Sequence, residues 1–134
     1  MRYGIITDIH NNVSALRAVL KQLNQMNCDS IICCGDIIGI GPNPEETVQE
    51  LLRVPQLVVV RGNHESYLLE GMPTEYPNEK NMSLNEMEHT NGNIACCPKN
   101  PLPFFAVCQK ELIFALRDFV FLFCISVWMG TVVI

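Results

Sequence analysis

No phenylalanine or tryptophan precedes Phe104 in this 134-residue chain; all six Phe and Trp128 lie after residue 100. That absence excludes a uniform composition: Met1 to about His89 carries ordinary α/β patterning, and the tail does not. Basic residues are also scarce, nine Lys+Arg against 14 Asp+Glu, for a net charge of -5. Such a balance excludes a broad nucleic-acid-binding face. It leaves room for a small phosphorylated substrate, a nucleotide included, because bound divalent metals would supply local positive charge. There is no CxxC among seven cysteines, and Met1-Arg2-Tyr3-Gly4 lacks the apolar core of a signal peptide. Reduced thiols and a cytoplasmic setting are therefore expected. Cys33 and Cys34 read as small buried hydrophobes inside a strand, and Cys96-Cys97 lacks the partner spacing of a zinc site. Histidine is limited to His10, His64 and His89.

What remains is enough for one domain with a real core, but not for two. Tyr3 to Thr7, Ser30 to Cys34 and Leu57 to Val60 are short apolar runs, suited to strands buried on both faces. Between the first two, Val13, Leu16, Val19, Leu20 and Leu23 follow helical spacing, with Asn11 or Asn12 as the cap. Between the second and third, Asn43 caps a helix with Pro44 at its first position and Glu45 and Glu46 in its first turn; Pro55 ends it. Ser66 to Leu69 makes a helical turn stopped by Gly71. The expected order is β-α-β-α-β, with parallel strands and right-handed crossovers. Residues 1–71 form this unit, 72–93 read as a polar loop or lid, and 94–134 as an atypical hydrophobic tail.

In such a sheet the ligand sits beyond the carboxyl ends of the strands. Each of the three strands leads into a polar turn there: Asp8-Ile9-His10, Gly35-Asp36-Ile37-Ile38-Gly39, and Arg61-Gly62-Asn63-His64-Glu65. Taken singly, Asp8 could cap a strand end, Asp36 could shape a turn, and Asn63 could cap a helix. Together they form a mixed set of carboxylate, imidazole and amide donors, suited to Mn, Fe, Zn or Ni. Carboxylates from separate strands allow one to bridge two metals about 3.5–4 Å apart, the spacing that stabilises attacking and leaving oxygens at phosphorus.

These three turns resemble the first motifs of the calcineurin-like metallophosphoesterase family. Gly39-Ile40-Gly41-Pro42-Asn43-Pro44-Glu45-Glu46 is similar to its small bacterial and archaeal phosphodiesterase branch. The resemblance covers residues 1 to about 70. It implies an α/β fold, here the parallel half of an α/β/β/α sandwich, incomplete at the C-terminus. It further implies two divalent metal ions: Asp8 and His10 on the first, Asp36 bridging, and Asn63 on the second. His64 would contact the phosphate or protonate the leaving oxygen, and Arg61 would help orient the phosphate. The implied reaction is hydrolysis of a phosphomonoester or phosphodiester by a metal-bridging hydroxide. Asn11 stands where the family usually has Gly.

The family completes its metal shell with a lone His, a His-Gly turn and a Gly-His-x-His turn from its C-terminal half. This chain has no histidine after His89, so the second metal site is expected to be incomplete and activity impaired or absent. Two other functions remain open: a non-catalytic remnant that binds metal or an anion, and a protein with a membrane-associating tail. The uncharged run from Phe119 to Ile134 is 16 residues, short of the ~20 that a spanning helix needs. We read the tail as the product of a reading-frame shift near Glu88-His89-Thr90. Read one base earlier, the degenerate code permits a polar segment with a central apolar pair and forces no stop. Sequencing the gene across that junction is expected to find the shift; an in-frame read reproduced in transcripts would overturn it.

Overall fold

The computed structural model describes residues 1–78, 82–95, 113–116, 119–122 and 132–133. Its N-terminal part runs β1 (Tyr3–Ile6), α1 (Val13–Gln25), β2 (Ser30–Cys33), α2 (Pro44–Leu52), β3 (Leu57–Val59) and α3 (Asn63–Glu70). Then come α4 (Leu84–Ala95), β4 (Ile113–Leu116), β5 (Phe119–Leu122) and β6 (Val132–Val133). Strands β1, β2 and β3 are parallel, as the short connections require, in a sheet of order β3-β2-β1-β6. β6 joins the outer edge of β1 antiparallel, and β4 with β5 forms a separate antiparallel pair. Beyond Ala95, where α4 ends, the described parts of the tail are thus strands; the rest of it, with Cys96-Cys97, lies outside the described residues.

Register explains why the strands read as continuous apolar runs. Ile6, Cys33 and Val59 are aligned across the sheet and join the core shared with Leu16 and Leu23 of α1 and Val48 and Leu51 of α2. Their neighbours Ile5, Ile32 and Val58 are aligned on the opposite face, where Ile5, Ile32 and Cys34 are also buried. Successive side chains alternate faces, so a strand covered on both sides has no polar position to spare.

The helices follow their local signals with informative exceptions. Asn12, not Asn11, caps α1, its side-chain oxygen accepting from the Ala15 N–H at 3.0 Å. Asn43 occupies the cap position of α2 but makes no side-chain cap bond. Instead Thr47 reaches back, its hydroxyl donating to the Asn43 carbonyl at 2.7 Å. α2 stops at Leu52, before Pro55, which is consistent with proline restricting the residue ahead of it. α3 begins at Asn63, three residues earlier than the apolar pattern indicates, with Gly62 as its cap.

The expected loop over 72–93 contains most of α4, which is a correction. Its start is a reciprocal box: the Glu86 carboxylate accepts from the Ser83 N–H and hydroxyl, each at 2.8 Å, while the Glu86 N–H donates to Ser83 Oγ. Only Met87 and Thr90 are buried along its described side chains, so the apolar stripe was too thin to read as a helix.

Candidate metal centre

Because β1, β2 and β3 are parallel, they end at the same edge, and the turns beyond them interlock. Main-chain bonds run from Asp8 N–H to Gly35 O (3.2 Å), His10 N–H to Asp36 O (3.0 Å), and Asn11 N–H to Ile37 O (2.9 Å). These continue the β1–β2 pairing past the end of the regular sheet. Asp8, His10, Asn11 and Asp36 all have positive φ, at 53, 46, 60 and 51°. Backbone in that region is costly for residues other than Gly, and it persists where the surroundings over-determine it. Asn tolerates it best of the four, which explains why Asn11 can stand where the family usually has Gly.

Asp8 and Asp36 are buried, at 6% and 3% exposure. Ligand atoms of Asp8, His10 and Asp36 all lie within 4.8 Å of one another. The Thr7 hydroxyl donates to Asp8 Oδ2 at 2.7 Å, and the His64 N–H donates to Asp36 Oδ1 at 3.0 Å. Among the described residues, no lysine or arginine pairs with either carboxylate. Two facing carboxylates removed from water call for a cation.

His10 Nδ1 lies 3.2 Å from the Ile38 carbonyl, which assigns the ring proton to Nδ1. The lone pair is then on Nε2, 3.7 Å from Asp8 Oδ1, the tautomer a metal ligand needs. The Asn63 amide faces the Asp36 carboxylate. With its nitrogen turned inward it donates at 3.1 and 3.3 Å. With its oxygen inward, a third acceptor joins the two carboxylate oxygens, an arrangement that a cation between them would stabilise. The donor set fits a divalent ion of the Mn, Fe, Zn or Ni kind.

The His64 ring stacks edge-on against His10 at 4.8 Å and against Tyr67 at 5.9 Å. Its Nδ1 is buried without a hydrogen-bond partner. Burial pushes this imidazole below its ordinary pKa; Asp36 and Asp8 act in the opposite sense, and His10 adds to the depression. Gly39 makes room for both rings: a Cβ there would lie 2.6 Å from His64 Nδ1 and 2.9 Å from His10 Nδ1.

The structure therefore brings together Asp8, His10, Asp36, Asn63 and His64. Arg61 is placed differently: its guanidinium pairs with Glu70 at 3.2 Å, at the far end of α3. Its Nε is buried and unpartnered. Two further residues, neither of them a candidate ligand, build the site. The Asn11 side-chain nitrogen donates to the carbonyls of Gly39 (2.9 Å) and Gly41 (3.0 Å), tying the first turn to the second. Glu65, fully buried, accepts from four main-chain N–H groups at the second and third turns. Burial raises its pKa, with the Asp36 charge acting the same way and the bonds from Ile38, Gly62 and Asp36 opposing. The Glu three residues after a Gly that precedes a helix was the available signal for it.

Comparison with known proteins agrees with this geometry. The family model of the calcineurin-like phosphoesterase superfamily domain matches residues 1–95. An uncharacterised protein of Methanocaldococcus jannaschii is 41% identical over 76 residues, which are 57% of this chain and 31% of that protein. The crystal structure of a metallophosphoesterase from Sphaerobacter thermophilus aligns with a TM-score of 0.63 at 26% identity, over 85% of this chain and 44% of that one. A hypothetical protein from Pyrococcus horikoshii OT3 aligns with a TM-score of 0.70 at 14% identity, over 89% and 52% of the two chains, and shows the fold alone. The chain thus spans about a third of the curated relative and about half of each solved structure. With three motif turns meeting at one sheet edge and the family match running through residue 95, the chain belongs to the calcineurin-like phosphoesterase superfamily.

Proposed function

We propose that this chain carries the N-terminal half of a metal-dependent phosphoesterase centre acting on a small phosphomonoester or phosphodiester. The observation that carries the reading is the Asp8-His10-Asp36 cluster at the carboxyl edge of the sheet, its two carboxylates buried and its imidazole half-buried. Asp8 and His10 would hold one divalent ion, Asp36 would bridge, and Asn63 would serve the second. When bound, the ions supply Lewis acidity to the phosphoryl oxygens and neutralise charge developing at phosphorus. The chain's own groups then orient the ester. His64 lies beside the cluster, and with Nδ1 buried, proton exchange with a leaving oxygen falls to Nε2. Arg61 must exchange its Glu70 pair for phosphate if it is to orient the substrate. Seven cysteines without a CxxC spacing favour a reducing, cytoplasmic setting.

Among the described residues no helix is long and apolar enough to cross a membrane. The histidine count favours a second reading, metal or anion binding without turnover. Only His10 and His64 stand at the site; His89 is exposed on α4. Titration of this chain with Mn²⁺, followed by assay on a generic aryl phosphate, separates the two. Binding with little turnover is expected from the chain alone. Robust turnover would show that the imidazoles present suffice, and a folded chain that binds no Mn²⁺ would overturn the metal-centre reading.

A further inference from the structure

Glu65 adjoins His64 but lies beneath the cluster rather than in it. Its Oε2 accepts from Asp36 N–H at 2.8 Å and Gly62 N–H at 2.9 Å; its Oε1 accepts from Ile37 N–H at 2.8 Å and Ile38 N–H at 3.1 Å. A carboxylate has about four lone-pair directions. All are taken, so this side chain has no acceptor capacity left for a metal. The Gly62 bond is local, three residues away, and would be made by any helix cap of this kind. The other three span 27 to 29 residues and have no role in capping.

We infer that Glu65 is the positioning residue of the metal centre, its carboxylate fixing the 36–38 turn so that the Asp36 side chain is aimed at the cluster. A closed circuit of bonds supports this. Glu65 holds the Asp36 main chain in its positive-φ conformation (51°). The Asp36 side chain accepts from His64 N–H at 3.0 Å, and His64 is followed directly by Glu65. The second and third turns are thereby set relative to each other before any ion binds, which is how preorganised ligand sets lower the cost of binding. The inference rests on the proposed reading of Asp36 as a metal ligand.

Glu65→Gln tests it, because the isosteric amide has one acceptor oxygen and turns an NH₂ toward two of the four N–H donors. The full chain with this substitution should keep its far-UV circular dichroism yet bind Mn²⁺ about 10- to 100-fold more weakly. Its Co²⁺-loaded visible spectrum should shift, reporting altered ligand geometry. Leu51→Ala, a cavity in the core on α2, should lower stability while leaving affinity and spectrum of the folded fraction unchanged. A folded Glu65→Gln protein with the parent affinity and spectrum would overturn the inference. Should that variant not fold, hydrogen exchange in the parent chain decides: the Asp36, Ile37, Ile38 and Gly62 amides should exchange as one slow group that slows further with Zn²⁺. Independent exchange, indifferent to Zn²⁺, would equally overturn it. Failure of the parent chain to bind any metal would instead remove the reading beneath it.

Discussion

Asp36→Ala should reduce Mn²⁺ affinity roughly 100-fold or more, a larger loss than any substitution outside the ligand set should cause. Asp36 supplies one of two buried carboxylates in the cluster, and it is also the side chain that the Asn63 amide faces. Removing it halves the anionic charge available to a dication in a poorly hydrated site. Stability should change little by comparison. The His64 N–H loses its acceptor, which costs about 1 kcal/mol, while repulsion with Asp8 is relieved. Calorimetric titration of Asp36→Ala beside Asp29→Ala makes the contrast, since Asp29 is a half-exposed carboxylate bonded to the Arg2 main chain. Affinity within threefold of the parent in Asp36→Ala would sink the assignment of Asp36 as a ligand. Any phosphoester hydrolysis the chain shows should vanish with the same substitution.

The second large effect is on folding itself. Gly35 has φ +92, and a Cβ there would lie 2.4 Å from Gly62 N and 2.7 Å from Gly62 Cα. Both are main-chain atoms, so no rotamer change can relieve the overlap. Gly62 is crowded from the other side: its own added Cβ would sit 2.4 Å from Asp36 Oδ1 and 2.5 Å from Asp36 N. Gly35→Ala should therefore cost on the order of 3–5 kcal/mol, combining backbone strain with overpacking, a large share of a small domain's stability. Gly71 provides an internal control. It has nearly the same φ, +93, with nothing within 4 Å of an added Cβ, so Gly71→Ala should lose only the conformational component, about 1 kcal/mol. Urea denaturation of the two variants reads the difference directly. Equal midpoints would show that the approach of the two turns is not what holds them.

Much of this was legible beforehand, for identifiable reasons. β1 to β3 are covered on both faces, so each appears as an unbroken apolar run, and the polar residues just beyond each run are conspicuous. The α1 stripe is likewise sustained over its 13 residues. α4 was not legible, because among its described side chains only Met87 and Thr90 are buried, although Ser83 and Glu86 were spaced for a capping box. The family match and α4 both pass through residues 88–90 and reach residue 95. The part of the tail on which the frame-shift reading depends lies mainly beyond the described residues.

The sequence by itself determined the donor types, their order, and the shared edge at which they stand, since parallel crossovers send every strand's carboxyl end the same way. Tertiary structure alone decided how those donors meet. It set the His10 tautomer through Ile38, committed Arg61 to Glu70, and tied Asn11 to the carbonyls of Gly39 and Gly41. It also gathered main-chain N–H groups from residues 36 to 38 onto Glu65. Apart from the Arg61 pair, those contacts join residues 27 to 30 positions apart, a separation at which no local pattern carries information and only the packed sheet fixes distance.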